Sequence, residues 1–547
     1  FKFTDNLRRN MFIIKYYMLL AIACFFAAAL IPQLIIRGVF AWCSLSMFIV
    51  SVAYIFDMPS IFRKTSDGKI VWWIRWIFIP FFLGVRLYNA WAIKRDKVEP
   101  IQKVGKGLYV SRRLFPSDLS FLESQNIHCI VDVTAEFSGL ESAMTGDQFR
   151  YLNTPVLDHK VPKMHKLKHA INWIDTQINQ SRSVVVHCAL GRGRSVFVVA
   201  AYLLAKNPSL TVEQVLKSIN DVRSTAQLNH LQLKTLQAIS DKGLLTLGHK
   251  ACLIANPVAG GGKWLANEQQ VIRELTRKYS LDIFLTSQEV SAEILAKQAK
   301  DRNTAHIIVA GGDGTVSEVA RQVRKTDTQL GIIPLGTANA LCHMLYGLTS
   351  KISPVEKACE AILSGNSKRI DLAFCNQQPI LLLLGIGFEE QMIDYAHREQ
   401  KNEKGQFAYL TGFFNAVITD DNQHFQISID DQPSQSMKLQ SLVVANSSPF
   451  STVLAQGGQP PRPDDGKLHI TYLENTNSLS KRAIALSDLL LSSLGAKEQA
   501  SYFTYASAQL VKIDSDRPIS YVIDGERYSA DSLEISIDKQ ALTVCIP

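Results

Sequence analysis

The run Val184-Val185-Val186-His187-Cys188-Ala189-Leu190-Gly191-Arg192-Gly193-Arg194-Ser195 puts a cysteine at the end of a β-branched segment and an arginine six positions on. Val196 to Leu204, apolar on every side, then reads as a buried helix. Strand, glycine-broken loop and helix together suit a thiolate nucleophile facing an oxyanion. A thiol attacks only once ionised, and a helix N-terminus, loop N–H groups and a guanidinium all favour the thiolate. The same donors suit phosphate: the amides of Ala189, Leu190, Gly191, Arg192 and Gly193, and the two-pronged guanidinium of Arg194. Gly191 and Gly193 let the backbone turn those amides inward. Ser195 is placed to donate to the sulfur as it leaves phosphorus. The bland alternative is a core cysteine beside a surface arginine, because this spacing alone is common by chance.

Such chemistry also needs an acid for the leaving oxygen. Asp158, in Asn153-Thr154-Pro155-Val156-Leu157-Asp158-His159, lies upstream between a strand-like and a helical segment. Asp132 and Glu136 read as solvated loop carboxylates, with contact to substrate as the alternative. Gly107–Val110 and Ile127–Val133 are expected strands, and Ala170–Gln180, Thr211–Val222 and Leu228–Ile239 expected helices, with Thr211 as an N-cap. The nucleophile would then sit at the C-terminal end of a strand in a parallel α/β sheet.

A second constellation follows. Strand and helix alternate again from Lys250, which argues for another doubly wound domain. The strand Ile307-Ile308-Val309-Ala310 runs into Gly311-Gly312-Asp313-Gly314-Thr315, with a helix expected from about Ser317. Glycines there let amides approach phosphates, and Asp313 can orient a magnesium-bound nucleotide through water. A tight turn holding nothing is the alternative. Gly260-Gly261-Gly262-Lys263 is no Walker loop, since Trp264 takes the Ser/Thr position.

On these motifs, Gly107 to Leu245 resembles the cysteine-dependent dual-specificity phosphatases. The stretch Val186-His187-Cys188 with Ala200-Ala201-Tyr202-Leu203 is most similar to the branch acting on phosphatidylglycerophosphate. That branch usually has a lysine after the cysteine, where Ala189 stands here. From Lys250 onward, Asn256-Pro257, Gly311 to Thr315, Pro334-Leu335-Gly336-Thr337-Ala338-Asn339, Lys368-Arg369-Ile370-Asp371 and Asp524-Gly525-Glu526 resemble the diacylglycerol kinase catalytic family. That resemblance implies ATP and Mg²⁺ as cofactors, a nucleotide-binding α/β domain and a β-rich lipid-binding domain. It implies nucleotide contacts at Asn256, Thr286, Gly311, Gly312, Asp313, Gly314, Thr315, Gly336, Thr337 and Asn339. Asp524 would be the base for the lipid hydroxyl, assisted by Glu526. Asp465 would hold a structural magnesium with the carbonyls of Arg462 and Lys467, and Asp371 would join the acidic network behind the site. A hairpin turn at Asp524-Gly525 without a catalytic role is the alternative. Ala340 replaces an aspartate common in diacylglycerol kinases, as in sphingosine kinases, so a sphingoid base or other long-chain alcohol stays open beside diacylglycerol.

Residues 16–36 and 38–56 are long and apolar enough to span a bilayer, and the flanking positive charges predict a hairpin with both ends cytoplasmic. The third run, Ile70 to Trp91, carries Arg75, Arg86 and a central Pro80, and reads as interfacial or re-entrant. The net charge of +9 favours an anionic membrane surface and no nucleic acid motif is present. The nine cysteines are scattered, without zinc spacing, as in a reducing compartment.

The expected fold class is α/β: membrane helices (1–98), a dual-specificity phosphatase domain (99–246), a doubly wound nucleotide-binding domain (247–372) and a β-rich domain (373–547). The expected protein is a bifunctional enzyme of a bacterial inner membrane, with membrane lipids as substrates and both catalytic domains facing the cytoplasm. One competing reading gives the phosphatase a phosphoprotein substrate. Another makes the second half a lipid or nucleotide sensor.

Overall fold

The structure is a computed structural model and describes residues 2–139, 149–387, 423–447, 461–474 and 504–547. The chain divides into two compact units: residues 1–250 with 272–282, and residues 251–271 with 283–547.

The first unit opens with helices α1 (Lys2–Leu30), α2 (Leu34–Ile55) and α3 (Trp72–Lys94). The expected first span, 16–36, is interrupted where Pro32 lacks the N–H a continuing helix needs. Pro80 does not break α3, which runs uninterrupted for 23 residues; with α2 it is long and apolar enough to cross a membrane. Next come β1 (Ile101–Gly105), β2 (Leu108–Ser111), α4 (Leu119–Ser124), β3 (Ile127–Thr134), β4 (Arg150–Val156), α5 (Met164–Asn179) and β5 (Ser183–His187). Helices α6 (Arg194–Lys206), α7 (Val212–Val222) and α8 (His230–Asp241) close the domain. The sheet order is β1-β2-β5-β3-β4, parallel except for the β1/β2 pair. Val184, Val185 and Val186 are fully buried, which explains why β5 is β-branched throughout and central. Thr211 caps α7 as expected, its side chain accepting from the Gln214 amide.

The N-terminal helices pack against the rest of the first unit. Their apolar core, which includes Tyr54, Phe62, Ile74, Phe78 and Phe81, also takes in Ala135 and Leu157 of the phosphatase-like domain. The α2–α3 connection is laced to that domain: Lys64 Nζ donates to Asp132 (2.6 Å) and to the Thr134 carbonyl (2.9 Å), and Gly139 N to the Gly68 carbonyl (2.6 Å).

From residue 249 the chain forms β6 (His249–Ala255), α9 (Lys263–Leu275), β7 (Tyr279–Leu285), α10 (Ala292–Asp301), β8 (His306–Gly311), α11 (Asp313–Val323) and β9 (Gln329–Pro334). Then follow α12 (Ala340–Tyr346), α13 (Pro354–Ser364), β10 (Ser367–Cys375), β11 (Gln378–Ile380), β12 (Leu383–Gly387), β13 (Gln423–Ile429) and β14 (Gln435–Ala445). The last strands are β15 (Leu468–Glu474), β16 (Thr504–Ala508), β17 (Leu510–Ile523) and β18 (Glu526–Cys545). One sheet runs β7-β6-β8-β9-β18-β17-β12-β14-β15-β16. Strand β18 pairs in parallel with β9 through Thr543 and Val544, while its other end forms the hairpin with β17. The α/β and β-rich regions thus share one sheet, and β10 runs across the expected division at residue 372. The reason is length: a 20-residue strand reaches both regions.

Candidate active sites

Cys188 sits just past β5, only 3% exposed, at the bottom of the loop that leads into α6. Its Sγ accepts from the Gly191 amide at 3.2 Å and lies 3.3 Å from Ser195 Oγ. Gly191 needs to be glycine: φ is +70°, and a Cβ there would come within 2.7 Å of the Ser111 carbonyl carbon. Arg223, 1% exposed, explains why the loop amides turn inward. It donates Nε to the Gly191 carbonyl (2.7 Å) and Nη2 to the Leu190 carbonyl (3.2 Å), which pulls those oxygens outward. Ala189 is tied through its carbonyl to the Arg113 amide (3.1 Å). Arg192 pairs with Asp96 at 3.1 Å, and Gly193 caps α6. The whole loop is thereby shaped before any ligand arrives.

Arg194 is 2% exposed. Its Nη1 and Nη2 grip Glu136 at 2.8 and 2.7 Å, Nη1 also donates to the Val156 carbonyl, and Nη2 is 3.2 Å from Asp158. Burial opposes the charge, but Glu136 and then Asp158 keep the guanidinium protonated. Among the described residues its buried Nε has no hydrogen-bond partner, a donor suited to one more oxygen. Asp158 itself is half-exposed, at the mouth of the loop and 3.5 Å from His159.

Two expectations are corrected here. Asp132 and Glu136 are not solvated loop carboxylates: they are 0% and 5% exposed. Glu136 holds Arg194. Asp132 pairs with Lys64, accepts from Tyr151 Oη (2.6 Å), and lies 3.8 Å from His187. Burial opposes its ionisation, yet Lys64 and His187 hold the carboxyl well below the usual range. Burial in turn lowers the pKa of His187, against the opposing pull of Asp132.

In the second unit the expected residues gather at the C-terminal ends of neighbouring strands: Asn256 after β6, Thr286 after β7, Gly311 to Thr315 after β8, and Gly336 to Asn339 after β9. Open α/β sheets bind ligands at such ends. Helix α11 starts at Asp313, not near Ser317, so Asp313, Gly314 and Thr315 form its first turn and Gly312 its N-cap. Asn256 Nδ2 donates to Thr315 Oγ1 (3.1 Å), and Thr286 N to the Ala255 carbonyl (2.9 Å). The two glycine loops touch, since a Cβ on Gly336 would meet Gly312 Cα at 2.5 Å. Asn339 closes its own loop with a pair of hydrogen bonds to Gly336 (2.7 and 2.9 Å). Beside them opens a cleft of about 460 Å³ lined by Thr337, Asn339, Lys263, His343 and Lys351.

Asp524 stands in the turn the sequence allowed. It sits in the β17–β18 hairpin with φ +50°, and its carboxylate accepts the amides of Leu381 (2.7 Å), Leu382 (2.9 Å) and Leu383 (3.0 Å). Burial raises its pKa to about 7 against those three amides, with a further push from Asp313. Glu526 is exposed at the start of β18. Asp313 accepts from the Ala340 amide at 3.3 Å, and its pKa is raised by burial.

The expected magnesium residues form a hydrogen-bonded turn. Both Asp371 oxygens are engaged, by the amides of Gly466 (2.6 Å) and Gln540 (2.7 Å). Asp465 accepts from its neighbour Lys467 N (3.1 Å) and pairs with His469 (2.8 Å); Arg462 is exposed nearby. Among the described residues no three His, Cys, Asp or Glu side chains converge as a ligand set. The expected ligand set, the Asp465 carboxylate with the carbonyls of Arg462 and Lys467, is of a different kind, and no step is assigned to a metal there.

Sequence reasoning passed over Glu136, Arg223 and Lys263. The first has a signal in hindsight: a fully buried arginine needs a carboxylate nearby. Arg223 and Lys263, whose Nζ donates to the Gly336 carbonyl at 3.0 Å, have none.

Residues 108–242 match the family "Dual specificity phosphatase, catalytic domain", and residues 250–375 match "Diacylglycerol kinase catalytic domain". Uncharacterized protein sll0036 of Synechocystis sp. is 33% identical over 319 residues, which cover 56% of this chain and 71% of that one. A diacylglycerol kinase of Staphylococcus haemolyticus is 26% identical over 304 residues, 54% of this chain and 88% of its own length. A diacylglycerol kinase structure from Bacillus anthracis str. Sterne matches at 23% identity and a TM-score of 0.45, covering 55% and 97% of the two chains.

Proposed function

This chain belongs to one family with the Synechocystis protein and joins a dual specificity phosphatase catalytic domain to a diacylglycerol kinase catalytic domain; we propose that both are active, on phospholipid substrates, at a membrane. The observation that carries the reading is the preset Cys188 loop, with Arg194 Nη2 3.2 Å from the acid Asp158.

In the phosphatase half, the Cys188 thiolate attacks phosphorus and the bond to the leaving oxygen breaks. Asp158 protonates that oxygen as it departs. Water then attacks the phosphocysteine, Asp158 takes its proton, and the P–S bond breaks to release inorganic phosphate. Ser195 Oγ, 3.3 Å from the sulfur, donates to the returning thiolate. The loop amides and Arg194 hold the phosphoryl oxygens throughout.

In the kinase half, ATP occupies the strand ends from Asn256 to Asn339. Asp313, in the first turn of α11, would orient Mg²⁺ bound with the nucleotide, and the ion would offset charge on the transferring phosphoryl. Asp524, poised near neutrality, accepts the proton of a lipid hydroxyl as its oxygen attacks the γ-phosphorus and ADP leaves. Diacylglycerol or a similar lipid alcohol is the acceptor. Helices α2 and α3, with the shorter apolar stretch Ile14–Leu30, attach the chain to the bilayer. The charges flanking the first two helices support catalytic domains on the cytoplasmic face of a bacterial inner membrane.

The test is labelled-phosphate transfer from Mg-ATP to a lipid panel by the parent, Cys188→Ser and Asp524→Asn proteins. A phosphorylated lipid made by the parent or by Cys188→Ser, and absent with Asp524→Asn, is expected. No labelled lipid from any of them removes the kinase assignment for that panel.

A further inference from the structure

Helix α3 lines a groove of about 400 Å³ whose other wall is the phosphatase-like segment Glu136 to Ser138. Arg75, Ile79, Phe82 and Arg86 all line it, at i, i+4, i+7 and i+11, and so share one helix face. The stripe reads charge, apolar, apolar, charge, and its ends are about 16 Å apart at 1.5 Å per residue. Around the same helix Trp72, Trp76, Leu83, Leu87 and Trp91 are all more than half exposed, a surface suited to the bilayer interface.

At the groove's inner end Arg75 donates to Ser138 Oγ at 2.6 Å. Beside it Glu136 lines the groove and also grips Arg194. One residue therefore separates the groove from the arginine that faces Cys188. Glu136 is neutralised by that pairing, so the groove keeps the positive charges of Arg75 and Arg86 around an apolar middle. Its chemistry fits an anionic amphiphile. The position is fixed too: Lys64 and Asp132 are both buried as a pair, and Ala135 and Leu157, neighbours of Glu136 and Asp158, pack in the core of the N-terminal helices.

We infer that this groove is the lipid subsite of the phosphatase. It takes the glycerol backbone and proximal acyl carbons of an anionic phospholipid whose phosphomonoester reaches past Glu136 to Cys188. Arg75 and Arg86 meet the headgroup charge, and Ile79 and Phe82 meet hydrocarbon. The inference rests on the phospholipid reading of the Cys188 site and adds which surface selects the lipid.

The test uses the full chain in phosphatidylcholine vesicles containing phosphatidic acid or phosphatidylglycerophosphate, with p-nitrophenyl phosphate as the soluble comparison. Arg86→Glu reverses an exposed charge, and Ile79→Trp fills the middle of the groove. For each, the ratio of lipid to soluble kcat/KM should fall about tenfold, and Arg86→Lys should restore most of it. A ratio equal to the parent's in both variants overturns the groove while leaving the phospholipid reading intact. A parent that cleaves the soluble ester but neither lipid overturns the phospholipid reading, and the groove with it.

Discussion

Arg194 and Glu136 face each other in a two-pronged ion pair, 2.8 and 2.7 Å, with both side chains almost fully buried. The phosphate-binding guanidinium is therefore oriented before substrate arrives, so little of the binding energy goes into arranging it. Replacing Glu136 with Gln should leave that guanidinium poorly compensated. Breaking one side of a buried pair costs about 3–5 kcal/mol. Thermal melts should show the loss, and kcat/KM on p-nitrophenyl phosphate should fall. Unchanged melting and kinetics would mean Arg194 is held by Asp158 and the Val156 carbonyl instead.

Asp158 is assigned the leaving-group proton. Asp158→Asn should slow hydrolysis of an alkyl phosphate by about 10²- to 10⁴-fold. A p-nitrophenyl ester, whose leaving group needs little protonation, should suffer far less. Parallel losses on both substrates would count against the acid role.

Ser195 stands 3.3 Å from the Cys188 sulfur, and in the proposed mechanism it serves the second step. Ser195→Ala should let phosphocysteine accumulate, seen as a burst of released alcohol in rapid quench followed by a slower steady state. Cys188→Ser should show neither burst nor turnover.

The Asp524 carboxyl is held at about 7 by burial, so the kinase rate should rise as pH climbs to that value and then level. Stability should move the other way. This group is raised above its unfolded value near 4, so it favours the fold at acid pH, and that favour is lost as pH rises from roughly 4 to 7. Asp524→Asn should abolish transfer and flatten this part of the melting profile. A rate independent of pH from 5 to 8, in numbers of about that span, would exclude Asp524 as the titrating base.

Lys64 ties the α2–α3 connection to Asp132, with both side chains buried. Lys64→Met should destabilise the first unit by roughly 3–5 kcal/mol, because Asp132 stays buried without its partner. Adding Asp132→Asn should recover part of that loss in denaturant titrations of the detergent-solubilised protein. Additive losses would show that the two residues act separately.

The sequence alone determined the two catalytic domains and their order along the chain, and it named the candidate reacting groups. Cys188, Arg194 and Ser195 sit at short separations where strand, turn and helix leave little geometric freedom. The Gly311 to Thr315 and Gly336 to Asn339 loops were legible for the same reason. Asp158, Asp524 and the apolar N-terminal stretches could be read from local pattern or resemblance. What depended on segments meeting in space was not legible. Glu136 and Asp132 looked like loop carboxylates because nothing nearby in sequence announces the buried arginine and lysine that neutralise them. Arg223 shapes the Cys188 loop from the end of α7. Strand β18 crosses from the β-rich region to pair with β9, so one sheet serves both. The tertiary structure also decided that the N-terminal helices share a core with Ala135 and Leu157 of the phosphatase-like domain. Burial sets these pairings, because a charge taken from water must find its partner wherever the fold brings one.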